Sequence, residues 1–318
     1  MKKLLMIMLF LLVISGCGEK ASQDQPVEEK PLSIVTPKGA PVLAFYDRIG
    51  DENYTRVTAD AISALWTGDA SPDVLVVDLT SGINAIRNGA EYKVGAILTF
   101  GNYYLAATGN DEDGTLGSDD LIVLFGNENM LPNRLWHYLF GDEYDESLLF
   151  EADAAAAAAA LTKGVFSDGT PVDYVLVAQP AAFAALKNNE KASIYLDIQK
   201  EYKDRSGMDM IQATAFISDR VSNEQANAFL EELEASINEA VGDPEKLAEG
   251  LSIYSGDEAM AQYGFNPDVV VNVFKQKNAL GGNGMGLGYA KAYEIKDQID
   301  AFLNIFGIPA TDETFYIQ

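Results

Sequence analysis

The stretch LSIVTPKGAPVLAFYDRI, Leu32–Ile49, decides how the chain is read. Leu32–Val35 has the pattern of a short apolar strand, Pro37-Lys38-Gly39 that of a tight turn, and the residues after it that of a helix. Pro41 falls in the helix's first turn, where a missing N–H does no harm. A strand, a glycine turn and a helix running back over a sheet leave backbone N–H groups free at the helix start, which suits an anion or a polar group. Alone, the stretch is equally an ordinary βα connection.

The same succession of elements then occurs a second time. Leu121–Gly126 (LIVLFG) and a helix through Leu139 repeat the opening. A second strand follows each, near Tyr54–Thr58 and at Leu148–Glu151. Helices then start at Ala59-Asp60-Ala61 and Ala152-Asp153-Ala154 and end near Gly68 and Gly164. Two strands share one template, Pro72-Asp73-Val74-Leu75-Val76-Val77 and Val172-Asp173-Tyr174-Val175-Leu176-Val177, and each leads to a helix, Ser81–Asn88 and Pro180–Lys187. Two β-α-β-α-β-α units in one chain imply an α/β protein of two similar Rossmann-like lobes facing a cleft.

The chain has 318 residues, enough for a sizeable core in one large or two medium domains. Its N-terminus reads as an address. Lys2 and Lys3 precede an apolar run, Leu4–Ile14, too short to span a bilayer, and then Ser15-Gly16-Cys17. Residues 1–16 are therefore expected to be a signal peptide. Cys17 is the sole cysteine, so no intrachain disulfide or cysteine metal cluster can form. Its place after a small-residue cleavage site resembles the bacterial lipobox, in which the cysteine is acylated; a plain secretory signal with a chance cysteine is the alternative. Residues 17–31, polar and rich in Gln, Glu and Lys, read as a lipid-anchored tether.

The formal net charge is −26, and it becomes two units more negative once Lys2 and Lys3 leave with the signal. That argues against nucleic acid, which needs a basic footprint, and against adhesion to anionic lipid without an anchor. It says little about the ligand, which answers to the local field of the cleft.

Further along, Tyr92–Phe100 and Asn102–Thr108 read as strands, Ala192–Leu196 and Met210–Ile217 as two more, and Gln199–Gly207 as a polar segment between them. Ser222-Asn223-Glu224-Gln225 is a capping box before a helix with Ala226, Phe229, Leu230, Leu233, Ile237 and Val241 on its buried face. Tyr289–Phe306 reads as a last long helix. The expected division is a first lobe of residues 32–104 and 215–318, and a second of 105–214, with hinge crossings near Leu105 and Ala215.

Behind a lipobox, these elements resemble substrate-binding proteins of bacterial ABC importers with the type II periplasmic-binding fold, nearest the branch that binds nitrate, sulfonates, taurine and thiamine precursors. The resemblance rests on Thr36-Pro37-Lys38-Gly39-Ala40-Pro41, the strand Asp73–Val77, Val123-Leu124-Phe125-Gly126 and Val172–Leu176. It implies capture of a small solute by hinge closure, with no bond chemistry, and delivery to a permease with its ATPase. Many relatives carry an acidic residue before the proline after the last of those strands; here it is Gln179-Pro180, which weakens the case for a cationic ligand.

His137, the only histidine, sits mid-helix and makes a poor triad member. The His and Cys ligands of a zinc site are lacking, and Asp111-Glu112-Asp113-Gly114 lacks the spacing of a calcium loop. Neither a metal nor a cofactor is expected. Gly281–Gly288 spells no nucleotide fingerprint and reads as a flexible loop beside the cleft. In a two-lobe cleft, contacts come from loops at strand ends. These nominate Lys38, Gly39 and Ala40; Asp78, Thr80 and Ser81; Phe100, Gly101 and Asn102; Gly126, Asn127 and Asn129; and Gln179. Thr80 and Ser81 could equally be helix caps. The expected ligand is small and neutral or anionic, and the protein a monomer at the outer face of the cell membrane. A lipoprotein sensor or adhesin, or an enzyme on the same fold, are the competing functions.

Overall fold

The computed structural model describes residues 30–68, 70–111, 114–127, 129–276 and 283–318. The signal, Cys17 and most of the tether lie outside them. From Leu32 onward the chain is one compact unit built on two sheets.

Strands β1 (Ile34–Pro37), β2 (Tyr54–Val57), β3 (Val74–Asp78) and β4 (Tyr92–Thr99) precede β5 (Tyr103–Ala107), β6 (Ile122–Phe125), β7 (Leu148–Glu151), β8 (Tyr174–Ala178) and β9 (Ser193–Asp197). The strands β10 (Ala213–Ser218) and β11 (Leu287–Lys291) complete the set. The first sheet runs β2-β1-β3-β10-β4-β11 and the second β7-β6-β8-β5-β9. In both, three parallel strands carry the repeat, and an antiparallel strand arriving from the other half pairs with the third: β10 on β3, β5 on β8.

The repeated Asp explains why the template recurs. Asp73 Oδ2 accepts from Ser33 N (2.9 Å) and Ser33 Oγ (2.7 Å), and Asp173 Oδ2 accepts from Leu121 N (2.9 Å). Each carboxylate ties the start of its half's first strand to the start of its third. Both are structural and stand at the strand ends away from the cleft.

The helices are α1 (Leu79–Arg87), α2 (Leu131–Phe140), α3 (Ala154–Lys163), α4 (Ala181–Asn188), α5 (Ile198–Ser206), α6 (Asn223–Gly242), α7 (Pro244–Leu251), α8 (Gly256–Tyr263), α9 (Val270–Lys275) and α10 (Lys296–Ile305). The alanine run of α3 is capped by Asp153, whose Oδ1 accepts from Ala156 N, and Ala157, Ala158 and Ala160 are buried, so small side chains let this helix lie close on its sheet. Ser222 caps α6 through Gln225 N. Five of the six expected residues of its buried face are buried, whereas Val241 is exposed and Ala240 takes the inward place.

Three expectations fail locally. The opening helix is a 3₁₀ helix, Ala40–Arg48, with a break at Phe45. Residues 199–206 of the polar segment lie in α5, capped by Asp197 and buried through Ile198, Gln199 and Tyr202. The last long helix is α10 alone, because 287–291 is β11 and pairs with β4. The crossings also shift. Tyr103 and Tyr104 already pair with Ala178 and Val177, so the outward crossing is 100–102; Ala213 and Thr214 pair with Asp78 and Val77, so the return is 207–212.

Gly286 sits at the outward crossing. Phe100 N donates to Gly286 O (2.8 Å), and a Cβ on Gly286 would stand 2.2 Å from the Gly101 carbonyl oxygen. The described part of the glycine run, 283–288, is thus packed against the crossing and α9 rather than looped beside the cleft. A ladder of rings, Tyr138–Tyr202 (5.7 Å), Tyr202–Phe302 (5.8 Å) and Phe302–Phe306 (5.1 Å), joins α2 and α5 of the second half to α10 of the first.

Candidate functional site

The two sheets point the ends of β1, β3, β6 and β8 at one another, and a cavity of about 120 Å³ lies between them. An apolar cavity of roughly 150 Å³ accepts benzene, so this one matches a single ring or something smaller. Its apolar wall includes Ile62, Val77, Tyr103, Phe125, Met130 and Phe265, with the Tyr103 and Phe125 rings edge to face at 5.5 Å.

Lys38, Gly39, Ala40, Asp78, Asn102 and Gln179 line this cavity. Ser81, Asn127 and Asn129 line a wider, more polar trough of about 550 Å³ beside it, with Asp60, Trp66 and Arg134. Thr80, Phe100, Gly101 and Gly126 line neither. Thr80 is buried and donates its hydroxyl to Asp78 Oδ1 (2.6 Å), Gly101 packs on Gln199 and Met210, and Phe100 packs on Gly288.

Several of the turn donors expected to grip an anion already have partners within the protein. Lys38 N donates to Val57 O (2.9 Å), Gly39 N to Tyr263 O (2.7 Å), and Pro41 has no N–H. At the second turn, Gly126 N donates to Glu151 O (2.9 Å), Asn129 N to Asn127 Oδ1 (2.9 Å) and Met130 N to Asn127 O (3.0 Å). Ser81 N donates to Asp78 Oδ1 (2.9 Å). Backbone donors take partners wherever the fold supplies them, and these particular ones are met by the protein itself.

Acceptors are treated differently. Gln179 is tied at three points: its N donates to Asn102 O (3.0 Å), its O accepts from Asn102 Nδ2 (3.1 Å), and its Oε1 accepts from Phe183 N (3.0 Å). Asn102 Oδ1 in turn accepts from Gln212 Nε2 (3.0 Å). Gln212 Oε1 and Asp78 Oδ2 are buried and have no hydrogen-bond partner among the described residues. Tyr103 stands next to both side chains, and burial pushes its hydroxyl well above the ordinary tyrosine value, so it stays protonated.

Gln212, Tyr103, Asp153 and Phe125 belong to the cavity and were absent from the nominations. The repeat held the signal for Gln212: it precedes β10 as Asn102 precedes β5. Elsewhere, His137 Nδ1 lies 3.4 Å from Asp142 Oδ1 and 3.5 Å from Asp145 Oδ1 at the end of α2, with Asp142 and Asp145 exposed. No helix among the described residues is long and apolar enough to cross a membrane.

No family model matches the sequence, and no curated protein matches it. Solved structures do. An ABC transporter structure from Parabacteroides distasonis is 19% identical, with a TM-score of 0.69 over 91% of this chain and 99% of that one. The periplasmic aliphatic sulphonate binding protein SsuA from Escherichia coli is 13% identical, with a TM-score of 0.59 over 91% and 92%. A Candida albicans gene product described as exhibiting the generic periplasmic binding protein structural fold is 8% identical, with a TM-score of 0.55 over 90% and 93%. At such identities the likeness speaks for architecture, and the chain has the periplasmic-binding-protein fold.

Proposed function

We propose that the chain is the solute-binding component of an ABC importer, taking up one small, uncharged or weakly charged solute between its two halves and handing it to a membrane permease with its ATPase. The observation that carries this reading is the cavity itself: both halves line it with polar strand ends, and its size suits a small molecule. Solved structures of this fold that bear transport and binding names support the same role. The lining offers hydrogen-bonding groups and apolar walls, which suit capture of a small solute.

Closure about the crossings 100–102 and 207–212 is the proposed mechanism, the halves moving as near-rigid bodies while the α5–α10 ring ladder holds the hinge side. Acylation of Cys17 is proposed to hold the protein at the outer membrane face, residues 17–31 serving as the tether. Cys17→Ser should then release the protein from the membrane fraction; continued fatty-acid labelling of that variant would refute the anchor. For solute capture, a thermal-shift screen of single-ring and smaller metabolites should find a stabilising compound whose effect Phe125→Ala removes. A stabiliser unaffected by changes to the cavity lining would place binding elsewhere.

A further inference from the structure

The hydrogen bonds around Gln212 fix which end of its amide is left over. Gln179 O is a carbonyl and can only accept, so Asn102 must turn its NH₂ towards it (3.1 Å). That leaves Asn102 Oδ1 to accept, and Gln212 must meet it with Nε2 (3.0 Å). Gln212, 5% exposed, is thereby obliged to keep its Oε1 as the unpartnered end. Nothing in this chain of donors and acceptors can be reversed at one member without breaking the rest.

Asp78 reaches the same condition by another route. Oδ1 already takes Thr80 Oγ1 (2.6 Å) and Ser81 N (2.9 Å) because Asp78 caps α1, and Oδ2 is buried without a partner among the described residues. The two side chains are neighbours: Leu79 N donates to Gln212 O (3.1 Å), and Asp78 is in register with Ala213. Tyr103, adjacent to both, has one hydroxyl proton and can serve one of the two acceptors at most. Leaving a buried acceptor unmet is costly, and a site with such acceptors rejects a molecule that brings only further acceptors.

We infer that the solute is a nitrogen compound that presents N–H donors on one edge, neutral or singly cationic and about the size of one ring, and that Asp78 and Gln212 are the residues that select it. This rests on the reading of the cleft as a solute site and narrows its ligand class. An oxyanion of the same shape is refused at this edge, because it would set its own lone pairs against Oδ2 and Oε1. Charge agrees with the hydrogen bonding: Asp78 and Asp153 line the cavity against the one ammonium of Lys38.

Benzamidine and benzoate make the test, since they share a shape and differ in offering donors or acceptors at one end. Calorimetric titration of the protein should show benzamidine binding and benzoate failing to bind. Asp78→Asn and Gln212→Leu should each weaken benzamidine about tenfold or more. Asp78→Asn also gains donors, so it should narrow or reverse the preference for benzamidine over benzoate, a gain that a misfolded variant could not show. Benzoate binding as well as benzamidine in the unaltered protein would overturn the inference while leaving solute capture in the cleft standing. Binding of neither would overturn the inference too, and the metabolite screen then decides the wider reading by itself. Benzamidine binding that both substitutions leave unchanged would equally overturn it.

Discussion

Asp78 ends β3 in the first sheet, Gln179 follows β8 in the second, and each caps the helix after it, one through Ser81 N and the other through Phe183 N. Beside each lies the carbonyl of the residue that leads into the crossing strand: Leu79 N donates to Gln212 O, and Gln179 N donates to Asn102 O. The backbone arrangement is thus the same twice over. The side chains are not. Gln179 Oε1 and Asn102 Oδ1 each accept a hydrogen bond, from Phe183 N and Gln212 Nε2, whereas Asp78 and Gln212 each keep a buried acceptor. A repeated fold supplies two equivalent strand ends, and a few side chains decide which end is structural mortar and which reads a ligand.

The largest effect that would test the pairing of halves lies at the two crossings. Gly286→Ala should destabilise the protein by about 3–4 kcal/mol in urea unfolding, because its Cβ meets the Gly101 carbonyl and its φ is +64. Gly207, at the return crossing, also has positive φ (+75) but open space around a Cβ, so Gly207→Ala should cost only about 1–2 kcal/mol. Equal losses would mean the two crossings are packed alike.

Next comes the duplicated aspartate. Asp73 holds Ser33 by two hydrogen bonds and lies 3.5 Å from Arg220, while Asp173 holds Leu121 by one. Asp73→Ala should therefore cost about 2–3 kcal/mol and Asp173→Ala about 1–2 kcal/mol. The reverse order would show that the two halves bear on stability differently from what their hydrogen bonds say.

Much of this was legible in the sequence, and the reasons are specific. The first and third strands of the repeat show because each follows a fixed Asp or ends at a Pro or Gly turn, and because these buried parallel strands are mostly apolar. α5 was not legible: its outward face is filled with charged residues such as Lys200 and Asp204, and only Ile198, Gln199 and Tyr202 turn inward. β11 was hidden by Gly288 and by the lack of β-branched residues; its strand form comes from pairing with β4, a tertiary cause. Six of the thirteen nominated residues line the cavity because loops at strand ends must. Their hydrogen-bond polarity could not be read, since whether Gly39 N is free depends on Tyr263, more than two hundred positions away.

Smaller effects sharpen the contrast between the repeat and what lies outside it. Asp300 on α10 accepts from Thr311 N (2.8 Å) and Thr311 Oγ1 (2.7 Å) and pairs with Lys296. Burial alone would raise its carboxyl, but the Lys296 and Thr311 partners outweigh that and hold it below the ordinary carboxylate value. A depressed folded value means the stabilisation is present above the unfolded value, about pH 4, and is lost as pH falls through the folded one. The stability gap between the protein and Asp300→Asn should accordingly be constant near neutrality and shrink below about pH 4. A gap unchanged into acid would remove the electrostatic account of this tie. Smallest of all, Lys38→Ala should change benzamidine binding by less than about 1 kcal/mol, because its ammonium is partly exposed and screened. A large loss would move the selecting charge from Asp78 to Lys38.

The central claim is that two matched halves close on a solute held between them. Small-angle scattering of the protein with and without saturating benzamidine tests it most directly. The account predicts a smaller radius of gyration in the bound state, with Gln212→Leu needing about tenfold more benzamidine to reach it. Identical profiles at a concentration where calorimetry shows the site filled would contradict closure.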